Sequence, residues 1–316
     1  MNCSKLSLLF LHGLFLHGLL LTVLHPAYAQ SASNGEKASD KASDQASNNA
    51  SNKALDRVST VGKEPATDAK RFFNSEEWFL SWGYNKTHYS KSNINVSQPA
   101  LGNDFTVHAV QGHDEFLRPT CCSPDNLRWG RYLDEARVYA LDVSLDHTKY
   151  TSTLGQVAFV SGKNSAGVGN QVLSSDYFTY MLHNGLNHVM VNLSYRKPLL
   201  GSLNETGNLS FIGKVGTGLA VVHPFNVMGG NENQMGKKTL TNALGFNNGW
   251  WRIVGTSTGV ELGMRYVLMK PYYVEWINKQ VFTSMSNIPV FQGSASQNLR
   301  SNELIFNLGY TFNGMP

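Results

Sequence analysis

The stretch Leu304–Phe312 sets Leu304, Phe306, Leu308, Tyr310 and Phe312 on one face and Ile305, Asn307, Gly309 and Thr311 on the other. A period of two marks a β-strand whose two faces meet unlike surroundings. The pattern recurs along the chain. Trp78, Leu80, Trp82 and Tyr84 oppose Phe79, Ser81, Gly83 and Asn85; Tyr139, Leu141, Val143 and Leu145 oppose Ala140, Asp142, Ser144 and Asp146. Val189, Val191, Leu193 and Tyr195 oppose Met190, Asn192, Ser194 and Arg196, and Val260, Leu262, Met264, Tyr266 and Leu268 oppose Glu261, Gly263 and Arg265. Tyr272, Val274 and Trp276 oppose Tyr273, Glu275, Ile277 and Lys279, while the strand from Leu209 carries Lys214 among glycines. Turn-rich runs of Gly, Asn and Ser separate these stretches, and no amphipathic helix of any length interrupts them.

The charges decide which way the faces point. A soluble sheet would turn its apolar face inward, but burying the charged face instead, with ions unpaired, would cost about several kcal/mol for each ion. A membrane barrel meets lipid with its apolar face and keeps polar side chains inside, where they pair across strands. The reading is therefore all-β: an antiparallel transmembrane β-barrel of about ten to twelve strands, with Asp142, Asp146, Arg196, Lys214, Glu261, Arg265, Glu275 and Lys279 lining its lumen. Those residues fit either a plug of paired charges or a narrow channel for small polar solutes; a barrel of this size leaves little bore once side chains are placed, which favours the plug.

The N-terminus supplies an address. Lys5 precedes the apolar run Leu6–Leu24, and Ala27-Tyr-Ala29 fits the small-x-small rule for cleavage, so residues 1–29 read as an export signal. Residues 30–71 read as a disordered linker: they hold no aromatic residue, and their centre repeats Lys-Ala-Ser-Asp and Gln-Ala-Ser-Asn tetrapeptides. Residues 72–316 are left for the barrel. The expected location is the outer membrane of a bacterial cell, with lipid, lipopolysaccharide and the barrel-insertion machinery as partners and the oligomeric state left open. A net charge of +4, with Lys and Arg scattered, argues against nucleic acid. Neither a cofactor nor a metal is implied, since the adjacent Cys121 and Cys122 lack the spaced partners of a zinc site.

Ser81-Trp-Gly-Tyr-Asn85 followed by Tyr89-Ser-Lys-Ser-Asn-Ile94 resembles the opening strand of a family of small outer-membrane β-barrel proteins. Asp104-Phe-Thr106, Asp146-His-Thr-Lys-Tyr150 and Gly185-Leu-Asn-His-Val189 resemble its later blocks. The family implies the fold and the location and brings no activity. The close on Tyr310 and Phe312 likewise resembles the C-terminal signal read during barrel insertion, although Asn313–Pro316 follow it here. Three functions remain in contention. One is structural or adhesive, carried by outer loops at 151–175, 222–249 and 284–300. A second is the channel. The third is a lipid A acyl hydrolase, for which His88 would serve as base to Ser90 with a carboxylate that the sequence does not assign. The remaining histidines, His188 among them, read as girdle or loop residues.

Overall fold

A computed structural model describes residues 75–115, 125–203, 205–233 and 250–314 of the chain. The signal 1–29, the linker 30–71 and the Cys121–Cys122 pair lie outside the described residues. The strands are β1 (Glu77–Tyr89), β2 (Ser92–Gln98), β3 (Asn103–Val110), β4 (Gly112–His113), β5 (Asn126–Tyr132), β6 (Tyr139–Ser152), β7 (Val157–Lys163), β8 (Gly169–Val172), β9 (Phe178–Thr179), β10 (Met181–Leu200), β11 (Leu209–Val222), β12 (Val227–Met228), β13 (Asn231–Glu232), β14 (Arg252–Met269), β15 (Tyr272–Val290) and β16 (Gly293–Asn313).

Eight of them pair in the order β1-β5-β6-β10-β11-β14-β15-β16, and β16 returns to β1. The ring is closed and every pairing in it is antiparallel. Closure leaves no sheet edge in the ring, which a bilayer core demands because no water is present there to satisfy a bare edge. The seam runs unbroken from Glu77↔Asn313 to Tyr89↔Ser301. Two glycines let it pack. A Cβ on Gly83 would fall 1.8 Å from the Phe306 carbonyl oxygen, and one on Gly309 would fall 2.0 Å from the Tyr273 ring, which lies over that glycine inside the barrel. Asn313 continues the seam, and the Gly314 N–H donates to the Glu76 carbonyl at 2.9 Å. The residues that follow Phe312 thus begin by extending the ring.

The connections at one end are short: 133–138 between β5 and β6, 201–208 between β10 and β11, and 270–271 between β14 and β15. The start of β1 and the end of β16 lie at that same end. Short turns together with both ring termini mark the periplasmic side of such a barrel, and the long excursions mark the outer side.

Strand length divides the molecule a second time. A tilted strand crosses a bilayer in about 9–11 residues. By contrast β10 has 20 residues, β14 has 18, β15 has 19 and β16 has 21, so each of them stands well clear of the membrane. Polarity inverts along them at the crossing point. On β16 the outward residues are Asn298, Arg300 and Asn302, then Leu304, Phe306, Leu308 and Tyr310; the inward ones pass from Ala295 and Leu299 to Glu303 and Asn307. The lower part is built apolar-out and polar-in, as lipid requires. The upper part is built the other way, as water requires.

The upper part is consequently a small folded body. Strands β2, β3, β7 and β8 continue the sheet from the top of β16, and β9, β12 and β13 form a three-stranded sheet of their own. Ile94, Val96, Val107, Val160, Leu173 and Ile288, each no more than 1% exposed, belong to an apolar core that closes the barrel from above. Asn93, Asn95, Ser97 and Asp104 alternate with them toward solvent.

The all-β antiparallel barrel is as expected; its size is not. The ring holds eight strands instead of ten to twelve. Of the stretches counted as strands from the sequence, 103–112 joins the outer body as β3, 176–183 is divided between β9 and the start of β10, and 187–198 continues β10 beyond a register shift between Leu182 and Leu186. The stretch 284–300 is not a loop, since it forms the upper ends of β15 and β16.

Candidate functional site

Parity places one face of every ring strand in the lumen, and the lumen collects the chain's buried charges. Arg128 on β5 donates to both oxygens of Glu261 at 2.8 and 3.0 Å and to Asp146 at 3.3 Å. Lys279 reaches Asp146 at 2.6 Å and Glu261 at 3.4 Å, and Lys214 reaches Asp142 at 2.9 Å. Nearer the periplasm Arg265 pairs with Glu275 at 2.6 Å and stacks over the Tyr273 ring, 4.0 Å from its centroid. Asn192 donates to Asp142 at 2.8 Å and Asn307 to Glu275 at 3.3 Å. None of these charged side chains is more than 3% exposed. Ions in so dry a place are tolerable only when paired and hydrogen-bonded, and these are both.

Of the residues read from the sequence as lumen-lining, Asp142, Asp146, Lys214, Glu261 and Lys279 are joined through Arg128, while Arg265 and Glu275 form a separate pair nearer the periplasm. Arg196 lies inside as well, but its guanidinium meets the hydroxyls of Tyr132 and Ser210 and no carboxylate. Sequence reading missed Arg128 and Glu303. Both were available from parity: Arg128 alternates with Leu127 and Trp129, and Glu303 shares the face of Ile305 and Asn307.

His188 corrects the expectation of a girdle or loop position. It is fully buried, with Nδ1 2.8 Å from Ser257 Oγ and Nε2 3.8 Å from Glu303 Oε1. Serine, histidine and carboxylate in that order is an arrangement used for acyl transfer, but His188 Nε2 and both Glu303 oxygens are without a hydrogen-bond partner, so the relay is not closed. Here the apolar core covers it above and the ion network lies below, so no substrate reaches it in this state. Among the described residues no group of three metal-ligating side chains comes together.

His88 and Ser90, the other pair suited to hydrolysis, lie exposed at the outer end of β1. No hydrogen bond or ion pair joins either side chain to the other or to a carboxylate among the described residues. Tyr310 and Phe312 face outward at the periplasmic end, their rings stacked at 6.2 Å, with Tyr272 5.3 Å from Tyr310. With Trp78, Tyr139, Tyr195 and Tyr266 they form the lower aromatic girdle of the lipid-facing band.

Just ahead of β5, outside the membrane, the Asp125 carboxyl is pushed up to about 6 by burial, then by Asp114, against the opposing pull of Lys149. Its protonated form is favoured in the folded protein. The stability this contributes is full below the ordinary carboxylate value and is lost as pH rises through 6. The unfolding temperature should therefore rise between pH 7 and pH 5, and Asp125→Asn should flatten that rise; an unchanged slope would show that the group is not responsible.

The closed ring, the outward apolar band and the buried charges make the chain an integral outer-membrane β-barrel in a lipid and lipopolysaccharide environment. No protein-family model and no curated protein sequence matches it. Similar solved structures include the outer-membrane protein AlkL in lipid bilayers, at 13% identity over 77% of this chain and 93% of that one, TM-score 0.35. The outer-membrane protein OprG of Pseudomonas aeruginosa gives 10% identity over 76% and 97%, TM-score 0.37. The attachment invasion locus protein of Yersinia pestis, solved with a heparin analogue, gives 11% over 75% and 99%, TM-score 0.30.

Proposed function

We propose that this protein is a non-conducting membrane anchor that presents its outer β-body for binding at the cell surface. The polarity inversion along β10, β14, β15 and β16 carries this reading. A channel would need a wet path, whereas here an ion network fills the lumen and an apolar core is stacked on top of it.

The outer body offers two features suited to recognition. A cavity of about 300 Å³ at its tip is lined by Asn103, Asn164, Tyr177, Asn231 and Phe291 and by no charged side chain. Amides beside aromatic rings suit a neutral, hydroxyl-rich ligand. In addition, β8 has no further strand beside it among the described residues, and Val157, Phe159 and Val172 are exposed next to it. Exposed edges and apolar patches are common docking features.

The likeness of the opening strand to the small barrel family and of Tyr310 and Phe312 to an insertion signal supports delivery by the barrel-insertion machinery. The hydrolase reading has less support, because no carboxylate accompanies His88.

Two measurements test the proposal. Purified protein in planar bilayers should give no discrete conductance, and regular single-channel steps would sink the plugged lumen. With Cys121 and Cys122 replaced by serine, a membrane-impermeant maleimide should label Asn95→Cys on intact cells but leave Ser202→Cys, in a periplasmic turn, unlabelled. The reverse pattern would invert the topology.

A further inference from the structure

A cavity of about 480 Å³ opens at the periplasmic mouth, far from the outer body. Its lining includes the cations Arg137, Arg196, Arg265 and Lys270 and a single carboxylate, Glu77. Arg137 is paired with Glu77, and Arg265 with Glu275. Arg196 and Lys270 have no ion pair among the described residues.

Arg196 is the informative one. It is 2% exposed, its Nη atoms reach only Tyr132 Oη at 3.4 Å and Ser210 Oγ at 3.1 Å, and its Nε has no hydrogen-bond partner. Arg265 donates to the same Tyr132 oxygen, so two guanidinium groups converge on one phenol oxygen. Tyr273 also lines the cavity, and its buried hydroxyl is likewise without a partner. A buried cation beside a second one is costly unless an anion compensates it, and a guanidinium fork with a phenol is a donor set matched to a tetrahedral oxyanion.

We propose that the periplasmic mouth is a binding site for a phosphate group, held by Arg196 and the Tyr273 hydroxyl with Lys270 at the opening. Leu203, Val267 and Pro271 supply an apolar wall for whatever organic part the phosphate carries. The phosphate has two sources, a soluble ion or ester and a phospholipid headgroup. Tyr310 and Phe312, which belong to the lipid-facing girdle, also line the cavity, so it reaches the level of the inner-leaflet headgroups.

The test uses the full mature protein refolded in a phosphate-free detergent, with unfolding followed by heat-modifiable gel migration. Potassium phosphate is compared with potassium chloride at equal ionic strength, and phosphatidylglycerol with diacylglycerol. A ligand that binds only the folded form raises the unfolding temperature, and a shift of several degrees is expected with phosphate or with phosphatidylglycerol. Response to both identifies a general phosphate site, and response to phosphatidylglycerol alone identifies a headgroup site. Arg196→Gln should abolish the shift, Arg196→Lys should keep part of it, and Lys270→Ala, at the exposed rim, should weaken it without affecting folding. The proposal is overturned if neither probe exceeds its control, or if Arg196→Gln and Lys270→Ala both respond as the unaltered protein does.

Discussion

Arg128→Met is expected to destabilise the barrel by about 3–5 kcal/mol, the usual consequence of removing one partner from a buried ionic cluster. Arg128 is fully buried and forms the bridge between Glu261 and Asp146, with both carboxylates within 3.3 Å of its guanidinium. Methionine fills much of the same space, so the loss is electrostatic rather than a cavity. Glu261 would be left with Lys279 at 3.4 Å and Lys214 at 4.0 Å, and Asp146 with Lys279 alone, so one ammonium would serve most of two carboxylates. Reversible unfolding in denaturant, with the protein in lipid vesicles, measures the cost. The double variant Arg128→Met, Glu261→Met should recover much of it, because the network is then reduced by a neutral pair; with Glu261→Met measured as well, the cycle of the two singles and the double gives the coupling energy. A single-variant loss below about 1 kcal/mol would mean that water enters the lumen and screens these charges, and the plugged-barrel reading would go with it.

Much of the barrel was legible because lipid and lumen impose opposite demands on alternate residues. In β14 and β15 the opposition is extreme: Leu262 and Trp276 face one way, Glu261 and Glu275 the other. The strand count failed where that logic loses its sense of direction. Ile94, Val96, Phe105 and Val107 alternate with Asn95, Ser97, Asp104 and Thr106 as cleanly as any membrane strand. Alternation reports two unlike surroundings but does not say whether the apolar one is lipid or a protein core. The discriminating sign was the polar set. On β2 and β3 it is mostly amides and hydroxyls, which suit open water, whereas on β14 and β15 it carries ions of both signs, and on β6 carboxylates, that need one another. The partner relations were out of reach for a different reason. Arg128 and Glu261 are 133 residues apart, and Lys279 and Asp146 are 133 apart as well; only the closed ring brings them together. His188 was misjudged as a girdle or loop residue. Its parity with Met190 and Asn192 pointed inward.

The boundary between the lipid-facing band and the outer body can be located by one residue type at two sites. Leu262→Arg should cost about 2–4 kcal/mol, since a cationic side chain near the bilayer midplane of a barrel's outer face is penalised by that amount. Leu262 is 59% exposed with Val260 and Met264 as its outward neighbours along β14, so in a membrane its exposure is to acyl chains. Thr256→Arg, on the same face of the same strand but above Thr258, should cost about 0–1 kcal/mol, because arginine there sits at the headgroups or in water. Both positions are on an unbroken stretch of the β14–β15 ladder, Thr256↔Ser284 and Leu262↔Asn278, so strand pairing is common to the two and cancels from the comparison. Folding free energies in vesicles give the difference directly. A gap of 2 kcal/mol or more places the upper edge of the membrane between the two sites. Equal costs would mean that the band does not end where the outward residues change from Val260 to Thr258, and the outer body would have to lie partly within the bilayer. The same experiment in detergent should shrink the gap, since a micelle adapts to a charge more readily than a bilayer, and the part that survives there measures packing on the strand instead of lipid.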